Sequence, residues 1–445
     1  MTPLRLPSPR LYVAPKAAAL LAAGALPALL LHGWWAYALA WSWAWVLFWL
    51  AVYDRSQAVP PAELELSREM PSKFSIGVPN AVTLRVTNPS PNRAYLTLRE
   101  TPPAAFGGVR HLGRVTVSRR DSAAFPLAFT PPARGRFSFG EIGVRSLGPH
   151  GLAGHQFAAG SPEEVHVYPD IQAVDRYALL ARKGMLLEMG VKAARYAGAG
   201  TEFESLRDYE PGDDYRDIDW KATARRARPV TRRFEAERSQ TMVLAVDAGR
   251  LMTPRVTGLT KLDRAINAAL LLAYLGIQAD DHVGLLVFGR DVQRYLPPRK
   301  GHRQFLAIME ALFAVEGRLE EPDYAGALRY LAARLGKRSL IVLFTDLVGT
   351  EPSRRLLGVL ATLAPRHLPL VVTQRNRQVE ARAESVPDTE SQVFEAAVAE
   401  DVLRDKAAAL RVLRSHGALV LDVDPQELSV ASVNRYLELK ARGQL

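Results

Sequence analysis

Between Ala17 and Tyr53 the chain carries no Asp, Glu, Lys or Arg, and this stretch restricts the fold more than any other. As one helix it would run about 55 Å at 1.5 Å per residue, far beyond a hydrocarbon core of roughly 30 Å. The length predicts two short spans, over 17–31 and 35–52, with His32-Gly33-Trp34 as the turn and Pro27 as a kink in the first. Six of the seven tryptophans lie between Trp34 and Trp49. Indole rings favour the headgroup level, and this many along one span also implies packing of helix on helix. Arg5, Arg10 and Lys16 precede the pair, Arg55, Arg68 and Lys73 follow it, and the turn carries no fixed charge. The positive-inside tendency therefore puts both ends on the cytoplasmic side. A cleaved signal peptide fits less well, because the apolar region is too long and runs into a second, tryptophan-rich span. The expectation is a two-pass anchor in the inner (cytoplasmic) membrane, with the lipid bilayer as one partner and the soluble domains in the cytoplasm.

At 445 residues, with 48% hydrophobic and 23% charged content, the remainder is long enough for two or three folded domains. The net charge of +11 comes mostly from arginines spread along the chain. That suits a basic, membrane-facing surface. With no recognisable nucleic-acid module, the arginines of residues 225–233 are not expected to bind DNA or RNA. Cysteine is absent, which removes disulfides, thiol catalysis and thiolate metal sites together.

Residues 60–170 alternate apolar and polar positions in short runs, among them Val82–Thr87, Tyr95–Leu98, Gly113–Val117, Ala124–Phe129, Gly135–Gly140 and Ile142–Ser146, with prolines and glycines at the joints. This predicts an antiparallel β-sandwich. His111, His150, His155 and His166 are scattered through it as surface or packing residues. After Arg238 strands alternate with helices. Met242–Val246, Val283–Phe288, Ser339–Phe344, Leu368–Val372 and Ala418–Asp422 read as buried strands, and Val292–Leu296 as an edge strand stopped by Pro297-Pro298. Helices are expected over Lys261–Gln278, His302–Phe313, Tyr324–Leu335, Ser353–Ala364, Ala397–Ser415 and Val430–Lys440. The sum is a doubly wound α/β domain over 239–445. Residues 1–16 are left as a tail, 17–53 as the helical hairpin and 171–238 as a connecting helix plus an acidic segment.

That segment crowds Glu204, Asp208, Glu210, Asp213, Asp214, Asp217 and Asp219 into a few turns of chain, with Arg225, Arg226, Arg228, Arg232 and Arg233 behind them. Charges this dense beside a buried strand must be paired, solvated or offered to a partner. The run Leu206-Arg-Asp-Tyr-Glu-Pro-Gly-Asp-Asp-Tyr-Arg-Asp-Ile-Asp-Trp-Lys221, with Ala224-Arg225 and Phe234-Glu235 after it, resembles the signature of the DUF58 family. The resemblance implies an immunoglobulin-like middle domain and a von Willebrand factor A-like C-terminal domain. It also implies a MoxR-type AAA+ ATPase as partner, in the assembly or maturation of other proteins. Two readings of the signature stand side by side. In one, Arg207, Arg216, Arg225 and Arg226 lock onto the acids while Tyr209 and Trp220 anchor the loop. In the other, Arg207, Asp208, Tyr209, Glu210, Asp213, Asp214, Tyr215, Arg216, Asp217, Asp219 and Trp220 form a surface that a partner recognises.

In a doubly wound sheet the ligand crevice lies outside the carboxyl ends of the strands, where Asp247 and Asp346 fall. The resemblance implies a Mg2+ site there, built from an aspartate, two serines, a threonine and a second aspartate. Here the first motif reads Asp247-Ala-Gly249-Arg-Leu251, without either serine, and Asp323 stands in place of the threonine. Magnesium wants near-octahedral oxygen ligation, so Asp247, Asp323 and Asp346 make a degenerate metal site, or else helix caps and arginine partners. No phosphate-binding loop, His-Glu-x-x-His or Gly-x-Ser-x-Gly motif occurs, and Gly198-Ala-Gly200 reads as a hinge. The expectation is a scaffold or adaptor without catalysis of its own. The alternative is a metal-assisted hydrolase at the three aspartates.

Overall fold

The apolar hairpin grows out of a β-sandwich. The computed structural model describes residues 10–30, 33–182, 202–210, 215, 218–226, 228–235, 239–347 and 350–445. The chain divides into two units, Met1–Tyr168 and Pro169–Leu445.

In the first unit β1 (Arg10–Val13) leads into α1 (Pro15–Leu30) and α2 (Trp34–Gln57). The sandwich strands follow: β2 (Glu65–Glu69), β3 (Lys73–Ser75), β4 (Asn80–Asn88), β5 (Ala94–Glu100), β6 (Arg110–Val117), β7 (Asp121–Phe129), β8 (Gly135–Phe139), β9 (Ile142–Leu147), β10 (Ala153–Ala159) and β11 (Glu163–Tyr168). They form a five-stranded sheet, β1-β10-β9-β5-β6, and two three-stranded sheets, β2-β4-β7 and β3-β11-β8. Strict alternation along β4 turns Val82, Leu84 and Val86 inward. The last two meet Leu96, Leu98, Val144 and Phe157 of the five-stranded sheet in one apolar core. A second cluster stacks Phe74, Phe106, Phe129, Phe137 and Phe139.

Residues 10–13 were expected as tail; instead β1 pairs antiparallel with β10, Arg10 opposite Gln156 and Val13 opposite Ala153. The two predicted helices are present and packed together. A Cβ on Gly24 would lie 1.6 Å from Trp43 Cδ1, and Trp43 Nε1 donates to the Leu20 carbonyl at 2.9 Å. The second helix runs further than the span predicted over 35–52. Helix α2 has 24 residues, about 36 Å, whereas α1 has 16, about 24 Å. Among the described residues only the helix starting at Trp34 is long and apolar enough to cross a membrane. Its far end is fixed to the sandwich. Asp54 is buried and accepts the backbone N–H groups of His150 (2.8 Å), Leu152 (2.6 Å) and Ala153 (3.1 Å). A carboxylate in such a nest of N–H groups makes charge-assisted bonds. Gly148 permits the approach, since a Cβ there would fall 2.0 Å from the Asp54 carbonyl oxygen.

The second unit opens with α3 (Ile171–Arg182), then β12 (Glu202–Asp208), α4 (Trp220–Arg226) and β13 (Val230–Glu235). Next come β14 (Thr241–Asp247), the short pair β15 (Arg255–Val256) and β16 (Leu259–Thr260), α5 (Lys261–Gln278), β17 (His282–Phe288), β18 (Val292–Arg299), α6 (His302–Phe313) and α7 (Tyr324–Ala332). The unit ends with β19 (Leu340–Phe344), α8 (Thr350–Leu363), β20 (Leu368–Gln374), α9 (Arg377–Glu384), α10 (Glu390–Ser415), β21 (Leu419–Val423) and α11 (Leu428–Ala441). The main sheet runs β18-β17-β14-β19-β20-β21, all parallel except the antiparallel edge strand β18. This is a mixed, mostly parallel α/β sheet. Strand β18 runs through Pro297 and Pro298 to Arg299 and does not stop before them. An edge strand has one unpaired side, so a missing N–H is tolerated there. The chain leaves β14 to build β17 on one side and β19 on the other, so the order reverses at β14. That reversal opens a crevice at the carboxyl ends of β14 and β19.

Candidate functional site

Asp247 closes β14, and Thr345 and Asp346 follow β19, so the parallel register brings them to the same edge of the sheet. All are buried. Thr345 Oγ1 donates to Asp247 Oδ2 at 2.7 Å and Tyr324 OH donates to the same oxygen at 3.0 Å. The Gly249 N–H donates to Oδ1 at 2.7 Å. Burial pushes the Asp247 carboxyl up, against the downward pull of these bonds from Thr345, Gly249 and Tyr324. Burial, followed by the Asp247 charge, holds the Tyr324 phenol well above its ordinary value.

Asp346 faces cations. The Lys261 ammonium pairs with its Oδ2 and Lys406 approaches Oδ1 at 3.6 Å. Lys406 also pairs with Asp422 at 2.9 Å and donates to the Gln374 carbonyl at 2.7 Å. Thr373 Oγ1 supports Asp422 at 2.7 Å, and Gln374 Nε2 donates to the Lys261 carbonyl at 2.7 Å. The network thus ties β19, β20 and β21 to α5 and α10.

The degenerate metal site is corrected by this arrangement. Asp323 is exposed and caps α7, accepting the Gly326 N–H at 2.9 Å. Asp247 is saturated by hydroxyl and amide donors, and Asp346 by lysine. Among the described residues no group of three or more His, Asp or Glu side chains is placed to hold a metal ion. The loop over 316–323 explains why a hydroxyl residue is missing at Gly249. A Cβ there would meet Pro322 Cδ at 2.8 Å, Asp247 Oδ1 at 2.9 Å and the Glu320 carbonyl at 3.0 Å. The loop is held down by Arg318 N–H on Ala248 O (2.8 Å), Arg250 N–H on Glu320 O (2.9 Å) and the Arg250–Glu321 ion pair. The residues present do not fit Mg2+. Asp247, Tyr324, Thr345 and Asp346 are buried and already bonded to one another or to Lys261.

The sequence reading did not single out Lys261, Tyr324, Thr345, Lys406 or Asp422. Lys261 had a signal. It is the first residue of α5, behind a capping box of Thr260 and Asp263, and a cation at a helix N-terminus opposes the macrodipole. Its ammonium needed an acid nearby.

The signature segment is placed in part. Asp213, Asp214, Arg216 and Asp217 lie outside the described residues. Arg207 lies in β12, opposite Thr231 of β13. Asp208 pairs with Arg228 at 2.8 Å on the surface. Asp219 accepts the Ala222 N–H at 2.9 Å and caps α4. Glu210 is exposed, and Tyr215 and Trp220 are 68% and 69% exposed. Trp220 thus faces solvent and does not pack as the expected anchor, whereas Tyr209, 37% exposed, is mostly covered.

Residues 205–410 match the model of the family described as protein of unknown function DUF58. An uncharacterized protein of Mycobacterium tuberculosis is 27% identical over 268 residues, which cover 56% of this chain and 82% of that protein. The uncharacterized protein YeaD of Bacillus subtilis is 25% identical over 268 residues, covering 58% of this chain and 62% of its own length. Among solved structures, the CARDB domain of a Pyrococcus furiosus protein shares 12% identity at a TM-score of 0.17, covering 23% of this chain and 86% of that domain. A Caenorhabditis elegans MSP family member shares 10% identity, also at 0.17, covering 23% and 96%. The sandwich is assigned from its own strands, described above. Through residues 205–410 the chain carries the DUF58 match, and it is homologous to uncharacterized mycobacterial and Bacillus proteins.

Proposed function

We propose that this protein is a membrane-anchored adaptor whose von Willebrand factor A-like unit recruits a protein partner, a MoxR-type AAA+ ATPase, for the assembly or maturation of other proteins. The observation that carries the reading is the exposure of Tyr215 and Trp220, at 68% and 69%, inside the matched segment. A loop held only for structure would bury such rings. Exposed tyrosine and tryptophan are the side chains that most often become anchors in an interface. The sealed crevice favours recruitment over turnover, because its carboxylates and hydroxyls already serve one another.

The anchor is a two-pass hairpin with both ends on the cytoplasmic face of the inner membrane. In support, α1 leaves the sandwich directly from β1 and α2 returns to it at Asp54, so one folded unit holds both ends. Helix α1 falls short of the hydrocarbon core, and local thinning of the bilayer accommodates such a mismatch. The test is recovery of the ATPase from detergent-solubilised membranes with the full chain as bait. Tyr215→Ser combined with Trp220→Ser should lower recovery roughly tenfold or more, as expected for lost aromatic anchors. Undiminished recovery from a folded double variant would contradict the reading.

A further inference from the structure

We propose that Lys261, seconded by Lys406, is the resident cation of the crevice. Its ammonium occupies at Asp346 the place that the Mg2+ implied by the resemblance would need. Four observations converge on this. Lys261 is only 6% exposed although it carries a charge. It begins α5, where the helix dipole repels a cation. Its position is fixed from both ends, by Asp346 at the ammonium and by Gln374 at the carbonyl. Finally, the network pairs its charges, the buried Lys261 with the buried Asp346 and the half-buried Lys406 with Asp346 and Asp422.

A buried ion is tolerated only when paired and hydrogen-bonded, and here each lysine supplies what its aspartate lacks. A divalent cation added to this set would meet two ammonium groups at close range and find the Asp247 oxygens occupied by donors. The covered position at Gly249 leaves no room for the missing hydroxyl ligand. The crevice is therefore metal-independent as it stands. Beneath the lysine lies a latent cation site, with Asp346 as the carboxylate that Lys261 now neutralises.

The inference stands apart from the partner reading, because its test contains no partner. Full-length protein in detergent is titrated with Mn2+, followed by electron paramagnetic resonance, and melted with and without chelator. Wild type should take up no crevice Mn2+, and its α/β unit should melt unchanged in chelator. Lys261→Ala should gain an Mn2+ site at least about tenfold tighter than any in wild type, since the competing charge is gone. Its lowered melting temperature should rise with the metal. Lys261→Met keeps the packing of the stem and removes only the charge, so it carries the same test if the alanine variant does not fold. Chelator-sensitive melting of wild type, or a folded Lys261 variant that gains no Mn2+ site, would overturn the proposal. A purely structural ion pair would lose stability on substitution without gaining metal.

Discussion

At Asp247 burial and hydrogen bonding pull on one proton in opposite directions, and burial is the larger effect. The consequence for stability has a definite sign. The unfolded chain releases this proton near the ordinary carboxylate value, about 3.9, while the folded protein holds it to higher pH. Through that window the native state binds the extra proton, so the contribution is fully present below the unfolded value. It falls as pH rises through the folded one and is flat above it. Asp247→Asn has no such proton. The stability of wild type minus that of Asp247→Asn should therefore fall as pH rises from about 4, read by denaturant unfolding of the α/β unit across a pH series. A difference that grows with pH would show that the donors from Thr345, Gly249 and Tyr324 outweigh burial. At this scale the sequence marks the aspartates, because they end strands. It hides Tyr324 and Thr345, whose role exists only once β14 and β19 lie side by side.

Among the elements, α5 was legible to the residue. Leu262, Ile266, Ala269, Leu270 and Ala273 recur at helical spacing, and all are buried. The parallel strands were equally plain as continuous apolar runs. Strand β10, Ala153–Ala159, was missed because its small and polar residues carry little alternation; pairing with β1 and β9 makes it a strand. Helix α9 was missed for a related reason, since none of its residues is buried. The join of α2 to the sandwich was likewise invisible, because Asp54 and His150–Ala153 are distant in sequence. That join makes a prediction. Asp54→Ala removes the acceptor of three backbone N–H groups, each bond to a charged group contributing about 1.5–3 kcal/mol. Hydrogen exchange at residues 150–153 should speed up, while the distant β4 amides keep their protection. Unchanged exchange at 150–153 would mean that the turn is held by other contacts.

For the whole molecule, the account has one thread: an apolar hairpin rooted in a sandwich, followed by an α/β unit with a closed crevice and exposed aromatic residues in its signature segment. Composition and periodicity carried the order of these parts. The partner surface was legible only as a choice between packing and recognition, because exposure is a property of the fold. The most direct measurement of the central claim is photo-cross-linking in native membranes, with a photoreactive residue at position 220 in one variant and at position 34 in another. The account predicts an AAA+ ATPase adduct from position 220 and lipid adducts from position 34. No protein captured at 220, together with no lipid captured at 34, would contradict it.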